Sequence, residues 1–143
     1  MERQSCRVHK LVADVCLIRD GEVMLVRYLN TSGYDGEPGW FLPDDFLRYG
    51  EHPKDAAARI LKDQASLGDV ELRLNHVESF EGHGYWHLVF HYVGELAGPT
   101  QTSSGANVRG LEWFALERLP PAEDVGHGGW ALETLQAIRL GSH

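Results

Sequence analysis

The fold of this chain is decided by Trp40 to Gly68, WFLPDDFLRYGEHPKDAAARILKDQASLG. The apolar run Trp40 to Leu42 predicts a short strand, and Pro43 is expected to end it because proline cannot donate to a strand ladder. Asp44 and Asp45, which follow directly, are typical of a polar turn. The first third of this stretch therefore predicts a strand that leads into a loop.

A helix is expected after Gly50 and Glu51. Pro53 suits the first helical position, where its missing N–H group is not needed. The next residues are good helix formers, and Gly68 is expected to end the helix. A strand, a loop that carries a glutamate and then a helix form a frame suited to a metal–phosphate site.

This frame resembles the Nudix box, which reads Gly, five residues, Glu, seven residues, Arg-Glu-apolar-any-Glu-Glu, any, Gly, apolar. When the sequence is aligned on Glu51, the arginine position falls on Arg59 and the apolar positions fall on Leu61 and Leu67. The lead-in Trp-Phe-Leu-Pro is similar to the family's usual Trp-x-Leu-Pro. The chain is identified by this spacing as a MutT-like member of the Nudix hydrolase superfamily.

The resemblance implies an α/β fold, the Nudix-type α/β/α sandwich, in which helices flank a mixed β-sheet. We expect a single domain over residues 1–143 with its core at about residues 10–140. The remaining pattern is consistent with this fold. It predicts strands at residues 10–18, 23–28, 70–80, 85–96 and 111–115, and a final helix at 130–140 whose apolar stripe is Ala131, Leu135 and Ile138.

The box is degenerate at the positions that carry its chemistry. Asp45 stands at the first glycine, Ile60 follows the arginine, Asp63 and Gln64 replace the paired glutamates, and Ser66 stands at the closing glycine. In the family the three helical glutamates bind divalent metal.

Positions 60, 63 and 64 share one helix face, where three carboxylates would converge on a hard cation such as Mg²⁺. Ile60 offers no ligand, Gln64 offers a neutral oxygen, and Asp63 has a shorter reach than glutamate. Metal binding is therefore expected to be weakened.

Two extra aspartates provide a route to compensation. Asp44 and Asp45, together with Glu51 and Asp63, would form a rearranged acidic site for Mg²⁺ or Mn²⁺. In that hypothesis Glu51, Asp63 and Gln64 are the catalytic residues, with Gln64 orienting water. The alternative is that the Asp-Asp pair is only a polar turn.

Three residues are predicted to contact substrate: Arg59, Tyr34 and Arg109. Tyr34 lies in a polar loop next to the expected site, and Arg109 is the only charged residue of the loop Gly98 to Gly110. The other interpretation of Arg59 is structural, because Asp55 and Asp63 lie four residues away on either side, at ion-pair spacing.

The strand Tyr85 to Leu96 has two faces, and Trp86, Leu88, Phe90 and Tyr92 are expected to form the face in the core. Its two histidines, His87 and His91, are about 13 Å apart along a strand, too far to bind one ion. We interpret them as ordinary half-buried histidines, and His76 could face His87 across a hairpin. Tyr85 or Trp86 could stack on a base, although packing is the commoner role.

Composition excludes several classes of function. A net charge of −8 and a pI near 5.4 disfavour binding to polymeric nucleic acid or to an anionic membrane. The sequence has no apolar run long enough for a transmembrane helix and no apolar signal core. It has two cysteines, Cys6 and Cys16, without metal-type spacing. These features predict a cytoplasmic protein.

Three functions are compatible with these residues. The first is metal-dependent hydrolysis of a nucleoside diphosphate linked to another group, weak or altered because the box glutamates are mostly replaced. The alternative is a non-catalytic Nudix-fold module that binds a nucleotide-like ligand or a protein partner. A third is acid–base chemistry by Asp44, Asp45 or Glu51 without metal. Family members are often dimers, so a homodimer is a further expectation.

Overall fold

The computed structural model describes residues 9–32, 36, 38–82, 84–98 and 100–141, which form a six-stranded mixed sheet with one helix on each face. The elements in chain order are β1 (His9–Arg19), β2 (Glu22–Tyr28), β3 (Asp44–Phe46), α1 (Pro53–Ala65), β4 (Leu72–Gly82), β5 (Tyr85–Leu96), β6 (Val108–Ala115) and α2 (Gly126–Gly141). A short 3₁₀ turn, Ala122–Asp124, precedes α2. No helix among the described residues is long and apolar enough to cross a membrane.

The sheet is built around β1. Its strand order is β4-β5-β1-β2-β6, and β3 pairs with the first part of β1. β1 runs parallel to β5, from His9 opposite Trp86 to Arg19 opposite Leu96, whereas the other pairings are antiparallel. The predicted α/β/α sandwich with a mixed sheet is confirmed.

Side chains of β1 alternate between two hydrophobic cores, as expected for a strand covered on both faces. Val15 and Leu17 pack with Ile60 and Leu61 of α1 on one face. Cys16 packs on the other face, with the buried stripe of α2 formed by Ala131, Leu135 and Ile138. The predicted stripe is therefore the contact surface of the final helix.

Helix α1 begins at Pro53, as predicted, and ends earlier than predicted. The His52 imidazole caps it by accepting the Lys54 N–H at 3.0 Å. The helix ends at Ala65, because Ser66 adopts a left-handed conformation with φ 58°. Ser66 thus ends the helix two residues before Gly68 and adopts the left-handed conformation that glycine usually adopts at helix ends.

The prediction for residues 40–45 is wrong in detail. Trp40 and Phe41 make only isolated bridges, to Val125 and Val26. The strand is β3, and it includes Asp44 and Asp45, the two residues expected to turn. They extend because the first half of β1 needs an antiparallel partner at the edge that β2 does not reach.

The predicted loop between β5 and β6 packs onto the end of α1. Its Ser103 and Gly105 N–H groups donate to the carbonyls of Ala65 and Gln64, at 3.1 and 3.0 Å. These bonds satisfy carbonyls at the helix end, which have no partner inside the helix. The loop is therefore a C-terminal cover for α1.

Gly105→Ala is expected to lower the free energy of unfolding by about 2 kcal/mol, as for overpacking elsewhere. A Cβ at this position would overlap the Asp63 carbonyl. Gly68→Ala is the control, since a Cβ there meets nothing within 4 Å, and it is expected to change stability by less than about 0.5 kcal/mol. Urea denaturation of both variants measures the difference, and equal effects would show that the loop does not pack against α1.

Candidate functional site

Arg59 of α1 lies at the centre of an acidic cluster, defined here as Glu51, Asp45 and Asp63. Its guanidinium makes a two-point contact with Glu51, with Nε to Oε2 and Nη2 to Oε1 both 3.0 Å. Nη1 donates to Asp45 Oδ2 at 3.1 Å and lies 3.9 Å from Asp63 Oδ2. Nη2 also donates to the Phe46 carbonyl at 3.0 Å. The cluster therefore already holds a cation, supplied by the chain itself.

Glu51 is fixed in its ionised form by these contacts. The hydrogen bonds from Arg59 are the main reason that its pKa is lowered to about 2, against a smaller opposing effect of burial. Its Oε1 also accepts the Arg48 N–H at 3.0 Å. Both carboxylate oxygens are thus engaged within the protein.

Gln64 is buried and bonded at both ends of its amide. Its Nε2 donates to the Asp44 carbonyl at 2.9 Å, and its Oε1 accepts the Tyr28 hydroxyl at 2.9 Å. The Tyr28 oxygen in turn accepts the Asp44 N–H at 3.0 Å. This arrangement ties β2 and β3 to α1, so the Gln64 amide serves packing in this structure.

The four predicted metal ligands do not converge. Asp44 and Asp45 are neighbours in a strand, so their side chains point to opposite faces of the sheet: Asp45 faces Arg59, whereas Asp44 faces the side of α2. Of the two remaining acids, Glu51 is paired with Arg59 and Asp63 is half-exposed. Within the described ranges, no three His, Cys, Asp or Glu side chains are grouped to hold a metal ion.

The residues present therefore do not fit the divalent metal that the box implies. Ile60, at the first helical glutamate position, is fully buried in the core. The guanidinium occupies the position between the acids that an ion would need. The structure accordingly supports no chemical step through a metal at this cluster.

An aromatic cleft lies next to the cluster, on the α2 side of the sheet. Its volume is about 330 Å³. The lining residues are Lys10, Val12, Phe41, Asp44, Asp45, Phe46, Phe80, Glu81, Gly82, His87, Val89, His127 and Trp130. The Asp45 carboxylate is paired with Arg59 on the other face, and the two remaining acids, Asp44 and Glu81, outnumber the single lysine, so the lining favours a flat, uncharged group over a phosphate.

The sequence predictions do not include the aromatic walls of this cleft. Phe80 lies in a predicted strand and Trp130 in a predicted helix, where both are typical packing residues. In the structure Phe80 stacks on His87, with ring centroids 4.7 Å apart and planes at 4°. The two aromatics predicted as base-stacking candidates, Tyr85 and Trp86, are not among the lining residues.

His127 projects into the cleft from a turn of unusual backbone conformation. Its φ is 55°, and the following Gly128 and Gly129 have φ of 65° and 103°. The imidazole contacts Phe41 and Trp130 edge-on, at 5.9 and 6.2 Å between ring centroids. A non-glycine residue held in this conformation is strained, and such strain is often found at ligand sites.

A chain of ionisable groups, of which Asp14 and His91 are buried, lies under the cleft. His91, fully buried on β5, has its Nδ1 2.7 Å from Asp14 Oδ1 and its Nε2 2.9 Å from Glu78 Oε1. The His76 ring stacks on it at 4.4 Å. Asp14 is 1% exposed and lies directly opposite Asp44 in the strand register.

These contacts correct two sequence interpretations. His91, interpreted from the sequence as half-buried, is fully buried and hydrogen-bonded to Asp14 and Glu78. The strand partner of His76 is His91, not His87. The sequence feature that could have predicted the contact with His91 is Asp14, an aspartate inside the apolar run LVADVCLI, because aspartate is rarely buried without a partner.

The three residues predicted to contact substrate have different positions in the structure. Arg59 is held by acids, which agrees with the ion-pair interpretation, although Glu51 and Asp45 are its main partners and Asp55 is not one of them. Arg109 lies exposed on β6 and is not among the cleft residues. Tyr34 lies outside the described residues.

The NUDIX domain family model matches residues 8–132. No curated protein sequence matches the chain at a significant level. Among solved structures, a NUDIX hydrolase from Nitrosomonas europaea is similar with a TM-score of 0.75 at 12% identity, covering 94% of this chain and 91% of that one.

Two similar structures were solved as complexes. A C. elegans Ap4A hydrolase in a binary complex has a TM-score of 0.67 at 18% identity, with 92% of this chain and 98% of that one covered. The NUDIX domain of Shewanella oneidensis NrtR, complexed with ADP ribose, has a TM-score of 0.70 at 17% identity, with 94% and 90% covered. At these identities the likeness concerns the fold.

Proposed function

The chain belongs to the NUDIX domain family, and from that membership we propose that it binds a nucleotide-like ligand in the aromatic cleft without metal-dependent hydrolysis. The observation that carries the proposal is Arg59. Its guanidinium neutralises the acids of the box, while the cleft beside it remains open and aromatic.

The lining of the cleft indicates which part of such a ligand enters it. Trp130, Phe80 and Phe41 offer apolar faces and edges suited to a base. Asp44 and Glu81 offer carboxylates that accept from amino groups and repel phosphate. We therefore place the base in the cleft and the phosphates outside it. That the NrtR domain was solved with ADP ribose supports a ligand of this class.

Hydrolysis of a nucleoside diphosphate derivative, with Mg²⁺ or Mn²⁺ supplied in solution, is the second candidate. The observation that favours it is that Asp44 lines the cleft while its neighbour Asp45 belongs to the acidic cluster, so carboxylates lie close to any bound ligand. In this candidate Glu51 and Asp63 would have to release Arg59 before they could serve a metal, which makes it the weaker of the two.

Calorimetric titration with ADP ribose, ADP and AMP, first in EDTA and then in Mg²⁺ or Mn²⁺, tests the proposal. We expect binding in EDTA, little change with metal, and no product by chromatography. Trp130→Ala is expected to weaken binding by about fivefold to a hundredfold, because base stacking is worth about 1–3 kcal/mol. Trp86→Ala, a partly exposed tryptophan outside the cleft lining, is the matched control and should bind normally.

Two results would contradict the proposal. Metal-dependent turnover that disappears in Asp63→Ala would establish the hydrolase instead. Equal loss of binding in Trp130→Ala and Trp86→Ala would remove the cleft as the ligand site.

A further inference from the structure

The floor of the aromatic cleft is the α2 face of the sheet, and the strand register arranges this floor in rows. Val12 of β1 and Val89 of β5 are partners in the register, and both line the cleft. Phe46 is paired with Val12 on one side, and Glu78 is paired with Val89 on the other. Because paired residues share a face of the sheet, an apolar floor runs from β3 to β5 and ends at the Glu78 carboxylate on β4.

The next row on the same face consists of ionisable side chains. From β3 to β4 its members are Asp44, Asp14, His91 and His76, each the register partner of the one before. Asp14 and Glu78 share the His91 imidazole between them, so even a protonated imidazole leaves a net negative charge when both acids are ionised. This ionisable row lies two residues along the strands from the apolar floor, a distance of about 7 Å. One end of the cleft is therefore negative.

Lys10 brings a positive charge to the opposite end of the cleft. It lies on β1 four residues before Asp14, on the far side of the apolar floor. Its ammonium is 4.3 Å from the centroid of the Tyr85 ring and 5.8 Å from that of Phe46, so it is directed away from the ionisable row. The cleft is thus polarised, and two of the aromatic rings at this end already contact a cation.

The walls of the cleft add aromatic rings at the negative end. Trp130 lines the cleft and also contacts His91 of the ionisable row edge-on, with ring centroids 6.2 Å apart. Phe41 and Phe80 are further lining rings. A cation is attracted to the face of an aromatic ring, and tryptophan attracts it most strongly. Rings next to buried carboxylates therefore favour a flat group that is itself positively charged.

We propose that the cleft selects a nucleotide whose base is a positively charged ring, such as an N-alkylated purine or a pyridinium, over a nucleotide with a neutral base. This inference rests on the proposed function, because it assigns the class of base that enters the cleft. The cationic ring lies on the apolar floor with its charge toward Asp44 and Glu78, and the phosphates lie toward Lys10. A neutral base gains the same stacking contacts without the attraction between charges.

Calorimetric titration of the full chain in EDTA with two pairs of ligands tests this preference. The first pair is N1-methyl-AMP, whose ring is cationic, and AMP. The second pair is nicotinamide mononucleotide and its reduced form, which has the same heavy atoms but an uncharged ring. We expect the cationic member of each pair to bind about tenfold more tightly, a ratio within the range of partly desolvated cation–π contacts.

Two substitutions identify the source of the preference. Glu78→Gln and Asp44→Asn each remove one carboxylate and keep a polar side chain of similar shape, and each is expected to reduce the tenfold ratio to about threefold or less. The Glu78 side chain is 40% exposed, so this variant keeps the test open if Asp44→Asn destabilises the fold. Glu95→Gln is the matched control, because it removes one carboxylate from the far end of β5 and should keep the full ratio.

Several results would overturn the inference and leave the proposed function standing. These are equal affinities within both pairs, a preference limited to N1-methyl-AMP, which its added methyl group would explain, and binding of AMP without binding of either form of nicotinamide mononucleotide. A preference that is unchanged in Glu78→Gln and Asp44→Asn, or that falls equally in Glu95→Gln, would also overturn it. Failure of all four ligands to bind would contradict the proposed function as well.

Discussion

Replacing His91 by alanine is expected to lower the free energy of unfolding by about 3 kcal/mol and the melting temperature by roughly 10 °C. His91 is fully buried and Asp14 is 1% exposed. Without the imidazole, the Asp14 carboxyl would remain buried with its main partner removed, and that loss is what makes breaking a buried pair costly. Urea denaturation and calorimetry measure the change.

His87→Ala is the matched control for this substitution. His87 lies on the same strand and the same face as His91, but it is half-buried and stacks on Phe80 at the surface. Its removal is expected to cost less than about 1 kcal/mol. Similar losses in the two variants would mean that the Asp14–His91 contact contributes no more than a surface stacking pair.

The same pair should make stability depend on pH. Burial alone would lower the pKa of His91, but the hydrogen bonds and charges of Asp14 and Glu78 outweigh it, so the pKa is raised above 6.5. The pKa of Asp14 is raised too, because burial disfavours its charge. In both cases the folded state binds protons more firmly than the unfolded state. Their stabilisation is therefore lost as the pH rises.

For His91 this stabilisation is complete below pH 6.5 and declines above it. The comparison protein is the double variant Asp14→Asn with His91→Gln, which retains polar side chains but removes both titrating groups. We expect the native protein to lose stability relative to the double variant as the pH rises above 6.5. A difference that stays constant or grows above pH 6.5 would contradict the assignment.

Arg59→Ala is expected to have the second large effect, a loss of about 2–3 kcal/mol in the free energy of unfolding. Glu51 is largely enclosed and would lose its two-point partner, while Asp45 and Asp63 are more exposed and better screened by water. Three carboxylates would then surround a space without a cation. The substitution should therefore also create affinity for a divalent ion.

Thermal unfolding with and without Mn²⁺ measures both consequences. An ion that binds only the folded protein raises its stability by about 2.7 kcal/mol at a hundred times its dissociation constant. We expect Mn²⁺ to stabilise Arg59→Ala and to leave the native protein unchanged. Arg109→Ala, which removes an exposed arginine on β6, should behave like the native protein. Equal stabilisation of the native protein would show that the acids already hold a metal.

Local signals in the sequence predict the helix of the box well. The start of α1 at Pro53 follows from proline geometry, which acts within a few positions. The hairpin of β1 and β2 and the stripe of α2 follow equally from short-range patterns. The spacing of the box also predicts the fold, because it matches the family's spacing even though most of the acidic residues are replaced.

Long-range pairing explains what sequence patterns do not predict. Asp44 and Asp45 carry strong turn preferences, yet they form a strand because β1 requires a partner at that edge. Asp14 and His91 are 77 residues apart, and only the parallel register of β1 and β5 brings them together. The walls of the cleft come from β1, β3, β4, β5 and α2, so no single stretch of sequence carries its signature.

The parallel ladder between β1 and β5 also sets the order of events in folding. β1 is synthesised before its longest partner, which begins at Tyr85, so both hydrophobic cores stay incomplete until β5 has been made. Because the paired residues of β1 and β5 are far apart in sequence, the fold has a high contact order, for which slow folding is typical. The entropy cost of closing this long loop comes before the contacts that offset it. Until β5 has been synthesised, the apolar residues of β1 and β2 stay exposed and can bind chaperones or associate with each other. Truncated chains that end before β5 are therefore expected to aggregate.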